Sequence, residues 1–239
     1  MRTVLSHFHN EEYLLPWWLN HHKKYFDHGI LVNQRSTDRS VEIIKSICPE
    51  WQVIDSRNEL FDCCGTDSEM QELESKLTGW RTTLTTTEFL CGDYSLLERT
   101  DKDQLVVKCY VMIDPPEHVN EVPTHDKSLI EQKPWGYWDH GYRMGRSVHR
   151  KEIPYRFGRH CPDITTDELA IFWYGWSPWT EETKKRKHQI QFRIPTHDVQ
   201  RGFGGQHHVN FEQLEDCYQF RLRWHRQDLR ETFPQAYSN

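Results

Sequence analysis

Residues Thr3–Ile47 read TVLSHFHNEEYLLPWWLNHHKKYFDHGILVNQRSTDRSVEIIKSI, and this stretch decides the fold. It opens on Thr3–Phe8, a short strand-like run. Asn10, Glu11 and Glu12 break the run. A helical segment follows from about Leu14 to Tyr25, in which Leu14, Trp17, Trp18, His21 and Tyr25 share one face. Pro16 fits only in its first turn, where a missing N–H costs nothing. Gly29–Asn33 returns as a second buried strand. Ser36, Thr37 or Asp38 is positioned to cap a helix carrying Val41, Ile44 and Ile47, which Pro49 ends.

Working outward, Trp51–Asp55 reads as a third strand. Met70, Leu73, Leu77 and Trp80 recur at helical spacing, and Arg81–Thr87 reads as a fourth strand. Strand and helix alternate, which predicts a parallel sheet with right-handed crossovers. Ligands of such sheets sit beyond the carboxyl ends of the strands. Here those ends are His7–Glu12, Asn33–Asp38, Asp55–Asn58 and Thr85–Glu88, and they are expected to converge. Later, Leu105–Ile113 reads as a strand and residues 117–160 as loops with short strands. Ile171–Trp179 is rich in aromatics, and Glu181–Ile194 and Gln213–Leu229 read as helices. Trp173, Trp176 and Trp179 are expected to pack the core rather than stack on a ligand. No repeat or composition break divides the chain, so one domain over 1–239 is expected.

The 239 residues suffice for one large α/β domain with a real core. A formal charge of −6 argues against a broad cationic surface for nucleic acid. The seven Cys contain no CxxC pair, and Cys63 and Cys64 are adjacent, so reduced thiols in a cytoplasmic protein are expected. The start has no signal-peptide pattern, and no apolar run approaches the roughly 20 residues of a membrane span. The basic run Thr183–His188 follows Glu181 and Glu182 and reads as a solvated helix face, giving at most peripheral membrane contact.

Several ordered segments resemble family 2-like GT-A glycosyltransferases, in particular the group related to family 92. They are Phe8-His9-Asn10-Glu11, the Trp18-Leu19-Asn20-His21-His22 helix, the strand from Gly29, and Ser36-Thr37-Asp38-Arg39-Ser40. The likeness continues through Phe61-Asp62, Gly79-Trp80 and Glu88-Phe89-Leu90. It is weaker at Gly158-Arg159-His160 and Arg201-Gly202-Phe203-Gly204. The resemblance implies a GT-A (Rossmann-like), mostly parallel sheet flanked by helices. Its nucleotide-sugar half would be 1–92, and its irregular acceptor-side half 93–239. It further implies transfer of a sugar from a nucleotide-diphosphate sugar to a glycan or lipid-linked acceptor. Asn10, Glu11 and Asp38 would then frame the nucleoside, with Arg35, His9, Asn33, Thr87 and Arg159 completing the donor site. On residue chemistry alone, Ser36–Asp38 would simply cap a helix.

One segment departs from the pattern. Relatives place Asp-x-Asp before Glu-Phe to hold Mn²⁺ or Mg²⁺, which prefer hard carboxylate oxygens. This chain has Thr85-Thr86-Thr87-Glu88-Phe89, so only Glu88 keeps a charge. Either Glu88 holds a divalent cation with help from elsewhere, for which His160 and His207 are the candidates, or cationic side chains replace the metal. An inverting reaction needs a carboxylate base. Among Asp139, Asp163, Asp167 and Glu168, Asp139 is the choice, because the aromatic turn Trp135–Gly141 suits an acceptor sugar. The threonines also admit an alternative, a catalytically silent module that binds a sugar nucleotide or glycan. A metal-dependent hydrolase is disfavoured by the lack of HExxH spacing.

Overall fold

The computed structural model describes residues 1–139, 145–154 and 157–237. His140, Gly141 and Arg156, which flank Asp139 and Gly158 in the reading above, lie outside the described residues.

The first half alternates as expected: β1 (Arg2–Phe8), α1 (Leu15–His22), β2 (His28–Asn33), α2 (Ser40–Ile47), β3 (Gln52–Asp55), α3 (Cys63–Ser75) and β4 (Trp80–Thr83). β1 pairs in parallel with β2 and β4, and β2 with β3. The period of two in β1 sends its side chains to opposite faces. Val4 and Phe8 join the large core with Trp18 of α1 and Ile44 of α2. Leu5 joins Ile30, Val32 and Met70 of α3 on the other face. Helices therefore flank the sheet on both sides.

The second half contributes β5 (Glu88–Gly92), α4 (Leu96–Arg99), β6 (Gln104–Met112), α5 (Leu129–Gln132), β7 (Trp135–Trp138), β8 (Arg146–His149), β9 (Thr166–Trp173), α6 (Glu181–Gln189), α7 (Thr196–Gln200), α8 (Phe211–Arg221), β10 (Gln227–Asp228) and α9 (Leu229–Thr232). The sheet order is β10-β7-β6-β8-β4-β1-β2-β3, with β9 beside β6 and β5 beside β9. β8 runs antiparallel to both β4 and β6, so β6 points the same way as the first four strands. β9 is parallel to β6, and β5 returns antiparallel along β9. The carboxyl ends of β1–β4, β6 and β9 thus share one rim with the start of β5. The outcome is the α/β class expected, with antiparallel pairs added after residue 92.

Several boundaries differ from the sequence reading for identifiable reasons. The α2 cap position is Arg39, without a side-chain cap bond, although Asp38 Oδ1 accepts the Ser40 amide at 3.0 Å. α3 stops at Ser75, so Leu77 lies beyond it and Trp80 begins β4. β4 ends at Thr83, and a turn through Thr85–Thr87, closed by Glu88 N–H to the Thr85 carbonyl at 2.9 Å, delivers the chain to β5. α6 ends at Gln189 and a 3-10 turn takes over at Ile190–Arg193.

α1 is locked to the start of β5. Trp18 is fully buried, and its indole donates to the Glu88 carbonyl at 2.9 Å. His21, on the apolar face read from the sequence, and its neighbour His22 hold Leu90 between them. His21 Nε2 bonds the Leu90 carbonyl at 2.7 Å, and the Leu90 amide donates to His22 Nε2 at 3.3 Å. Among the described residues no helix is long and apolar enough to cross a membrane.

Candidate active site at the carboxyl rim

The β1–α1 and β2–α2 loops are knitted together by side chains. Asn10 Oδ1 accepts the Thr37 amide at 2.7 Å and lies 3.4 Å from the Asp38 amide, while the Asn10 amide donates to Ser36 Oγ at 3.1 Å. Asp38 Oδ2 accepts the Glu12 amide at 3.0 Å. Asn33 accepts the Ser36 amide at 2.9 Å and donates to Asp55 at 3.0 Å. His9 Nδ1 bonds the Gln34 carbonyl at 2.7 Å. Asn10, Asn33 and Asp38 therefore shape these loops. Arg35 stands exposed at their crest.

Backbone strain gathers at the same rim. Among the described residues, the non-glycine positions with left-handed backbone are Asn10 (φ 49°), Arg35 (φ 60°) and Arg159 (φ 59°). Each such residue costs of order 1–3 kcal/mol and persists only where its surroundings enforce it. Such strain concentrates at ligand-handling sites.

Three ion pairs with buried guanidiniums occupy the rim. Arg186 Nε donates to Glu11 Oε2 at 2.6 Å, with exposures of 9% and 8%. Arg146 Nε donates to Glu88 Oε1 at 2.8 Å, with exposures of 6% and 4%. Arg159 pairs with Asp67 of α3, and its Nη2 donates to His7 Nδ1 at 3.3 Å. Arg146 also donates to the Gly158 carbonyl, which draws the second and third pairs together. The two glutamates respond oppositely. Burial raises the Glu11 carboxyl above its usual range, and Arg186 only partly offsets this. Burial pushes Glu88 in the same direction, but the Arg146 guanidinium and the Thr85 amide outweigh it and hold Glu88 below that range.

Glu88 and the first loop are linked directly. Thr86 hydrogen-bonds Glu11, and the Thr85 amide donates to Glu88 Oε2 at 2.8 Å. Thr87 Oγ1 lies 2.9 Å from Thr85 Oγ1 and accepts the Trp173 indole N–H at 3.1 Å. Asn10, Asp38 and Glu88 thus lie along one rim. Asp139 directly follows β7, whose last paired residue, Trp138, lies opposite Tyr110 of β6.

The expected metal set is not assembled. His160 lies in the field of Glu88, Arg146 and Arg159, and loss of solvent followed by the Arg146 charge takes it down to about 4. His207 sits instead near Lys187, Arg186 and His208 and is taken down to about 4, chiefly by burial. The donor atoms of Glu88, His160 and His207 do not cluster within 4.8 Å. Glu88 is engaged by a guanidinium, and Thr85 and Thr87 offer hydroxyls where carboxylates would be needed. These rim residues do not fit a hard divalent cation.

The basic run read as a solvated face also differs. Arg186 is buried on Glu11, and Lys187 Nζ lies 3.8 Å from the Trp176 ring centroid. Farther along, Gln189 donates to the His9 and Asn10 carbonyls at 3.3 and 3.1 Å, and Arg193 to the Gln34 carbonyl at 3.1 Å. Residues 186–193 therefore lie across the rim. Arg146, Arg186 and Asp67 escaped the sequence reading because each acts through a partner far away in the chain. The one available signal was the charge density of Lys184–Lys187 in a segment otherwise suited to packing.

The sequence matches no known protein-family model and no curated protein. Solved structures similar to the chain include a Pyrobaculum calidifontis mannosyltransferase in complex with GDP-Man and Mn²⁺. It is 12% identical, with a TM-score of 0.33 over 48% of this chain and 35% of that one. S. aureus TarS 1–349 is 12% identical, with a TM-score of 0.42 over 80% of this chain and 64% of that one. Mycobacterium tuberculosis glucosyl-3-phosphoglycerate synthase, with Mn²⁺, UDP and glucosyl-3-phosphoglycerate, is 11% identical, with a TM-score of 0.37 over 81% and 68%. The chain spans about a third of the mannosyltransferase and under two-thirds of the TarS fragment.

Proposed function

We propose that the chain is a glycosyltransferase that grips a nucleotide-diphosphate sugar with guanidinium groups in place of a metal ion. The carrying observation is the convergence of Arg146, Arg159 and Arg186, all at most 9% exposed, on the carboxyl rim of the sheet. Buried ion pairs are costly to desolvate, and apolar residues of similar size would often serve stability as well or better. Charges kept under that penalty fit a polyanionic ligand. Arg159 Nε is also buried without a hydrogen-bond partner among the described residues, so one more donor is available to a phosphate oxygen.

In this reading Asn10, Asp38 and Arg35, with His9 and Asn33 behind them, frame the nucleoside. Arg159 and Arg146 neutralise the diphosphate as it leaves. Glu11 and Glu88 orient the guanidiniums, and Thr87 fixes the turn between them. Asp139 takes the proton from the acceptor hydroxyl of a glycan or lipid-linked sugar. Catalysis then rests on charge stabilisation and positioning.

The test incubates purified protein with UDP- and GDP-sugars in excess chelator and follows nucleotide release. Release is expected to persist without metal and to fall by about 10²–10³-fold in Arg159→Met, as for loss of a donor that stabilises developing charge. Binding of no donor, or donor-dependent release that needs Mn²⁺, would overturn the reading.

A further inference from the structure

Away from the guanidinium cluster, Asp62, His197 and Asp198 bring three donor atoms within 4.8 Å of one another. Asp62 is the N-cap of α3. Its Oδ1 accepts the Gly65 amide, and its Oδ2 lies 2.6 Å from His197 Nε2. Asp198 Oδ2 accepts the Cys63 amide at 2.7 Å, and its Oδ1 faces His197 Nε2 at 3.7 Å. Capping explains Asp62 and one oxygen of Asp198. It leaves Asp198 Oδ1 unexplained: the residue is 1% exposed, and this oxygen has no hydrogen-bond partner among the described residues. A buried acceptor that accepts nothing forfeits its hydration without return.

We propose that Asp62 Oδ2, His197 Nε2 and Asp198 Oδ1 form a binding site for a first-row divalent cation, Zn²⁺ in preference to Mg²⁺. One imidazole and two carboxylates suit a borderline ion, whereas Mg²⁺ favours oxygens and keeps its waters. The 2.6 and 3.7 Å separations bracket the roughly 3.4 Å between tetrahedral ligands at about 2.1 Å from a zinc. Small side-chain adjustments therefore suffice. The site is open on the side of His197, whose side chain is 53% exposed, so water can complete the shell. The Gly65 amide already holds the Asp62 carboxyl below its ordinary range, which favours the ligating form. A bound ion would take the place of the Asp62–His197 hydrogen bond. It would tie α7, and with it the rim-covering segment, to the first turn of α3. The site involves neither Thr85–Thr87 nor sugar transfer, so it stands whether or not the glycosyltransferase reading does.

The test uses the full chain, stripped with chelator and desalted, and titrated with ZnCl₂ by calorimetry alongside thermal unfolding. One equivalent is expected to bind and raise the melting temperature, while Mg²⁺ at the same concentration leaves it unchanged. His197→Ala, which removes a half-exposed side chain, and Asp198→Asn, which keeps the acceptor for the Cys63 amide, are each expected to weaken binding at least about tenfold. Co²⁺ in the site should lack thiolate-to-cobalt charge-transfer absorption, which separates this ligand set from binding by the neighbouring Cys63 or Cys64. Unchanged Zn²⁺ affinity in both variants, a thiolate band, or no melting shift in the parent would overturn the proposal.

Discussion

His21 shows how a single residue couples burial to acidity. It sits 7% exposed, bonded through Nε2 to the Leu90 carbonyl, and burial takes its pKa down to about 4. A folded-state value below the unfolded 6.5 means that its stabilisation is complete above pH 6.5 and is lost as pH falls toward 4. The difference amounts to about 2 kcal/mol by pH 5. Urea midpoints measured from pH 7 to pH 5 are expected to fall by at least this much, since His160 and His207 are also taken down to about 4, and His21→Gln should shrink the fall by about 2 kcal/mol. A fall of equal size in the variant would remove His21 as the cause. The packing role of His21 was legible in the sequence, because its place on the apolar face of α1 follows from helical spacing. The burial of Arg186 was not, because the partner that neutralises it, Glu11, lies 175 residues away.

Elements end where tertiary pairing outbids local preference. α8 begins at a capping box: Asn210 Oδ1 accepts the Gln213 amide at 2.8 Å, and Gln213 Oε1 accepts the Asn210 amide at 2.9 Å. The helix seats Leu214 and Tyr218 on the second core cluster, with Tyr218 stacked on Trp179 at 4.4 Å. Its periodicity runs on in the sequence toward Leu229, yet the helix stops at Arg221. Gln227 and Asp228 instead pair with β7, and the Leu229 amide donates to the Pro134 carbonyl at 3.0 Å. Asn210→Ala is expected to cost about 1 kcal/mol in thermal or urea unfolding. A change below about 0.3 kcal/mol would mean that packing alone sets the start of this helix. The same contest explains β4, which stops at Thr83 because the next residues must turn to bring Glu88 beneath Arg146.

At the scale of the whole molecule, the alternating half declared itself through its periodicities, and the rim followed from the direction of its strands. The later half did not, because its strands find their partners out of chain order, and β7, β8 and β10 are only four, four and two residues long. β8, residues 146–149, slots between β4 and β6, and among the described residues β5 pairs only with β9. A polypeptide released from the ribosome after residue 92 would contain the whole βαβ run and still leave one flank of β4, and the flank of β5 that β9 covers, with bare amides and carbonyls. Exposed strand edges recruit other strands. A recombinant 1–92 fragment is therefore expected to associate and to melt without a sharp transition, whereas the intact chain melts cooperatively; a monomeric, cooperatively folding fragment would refute this. During synthesis the nascent chain must keep those flanks from neighbouring polypeptides until β8 and β9 emerge, which gives chaperones a defined interval in which to act.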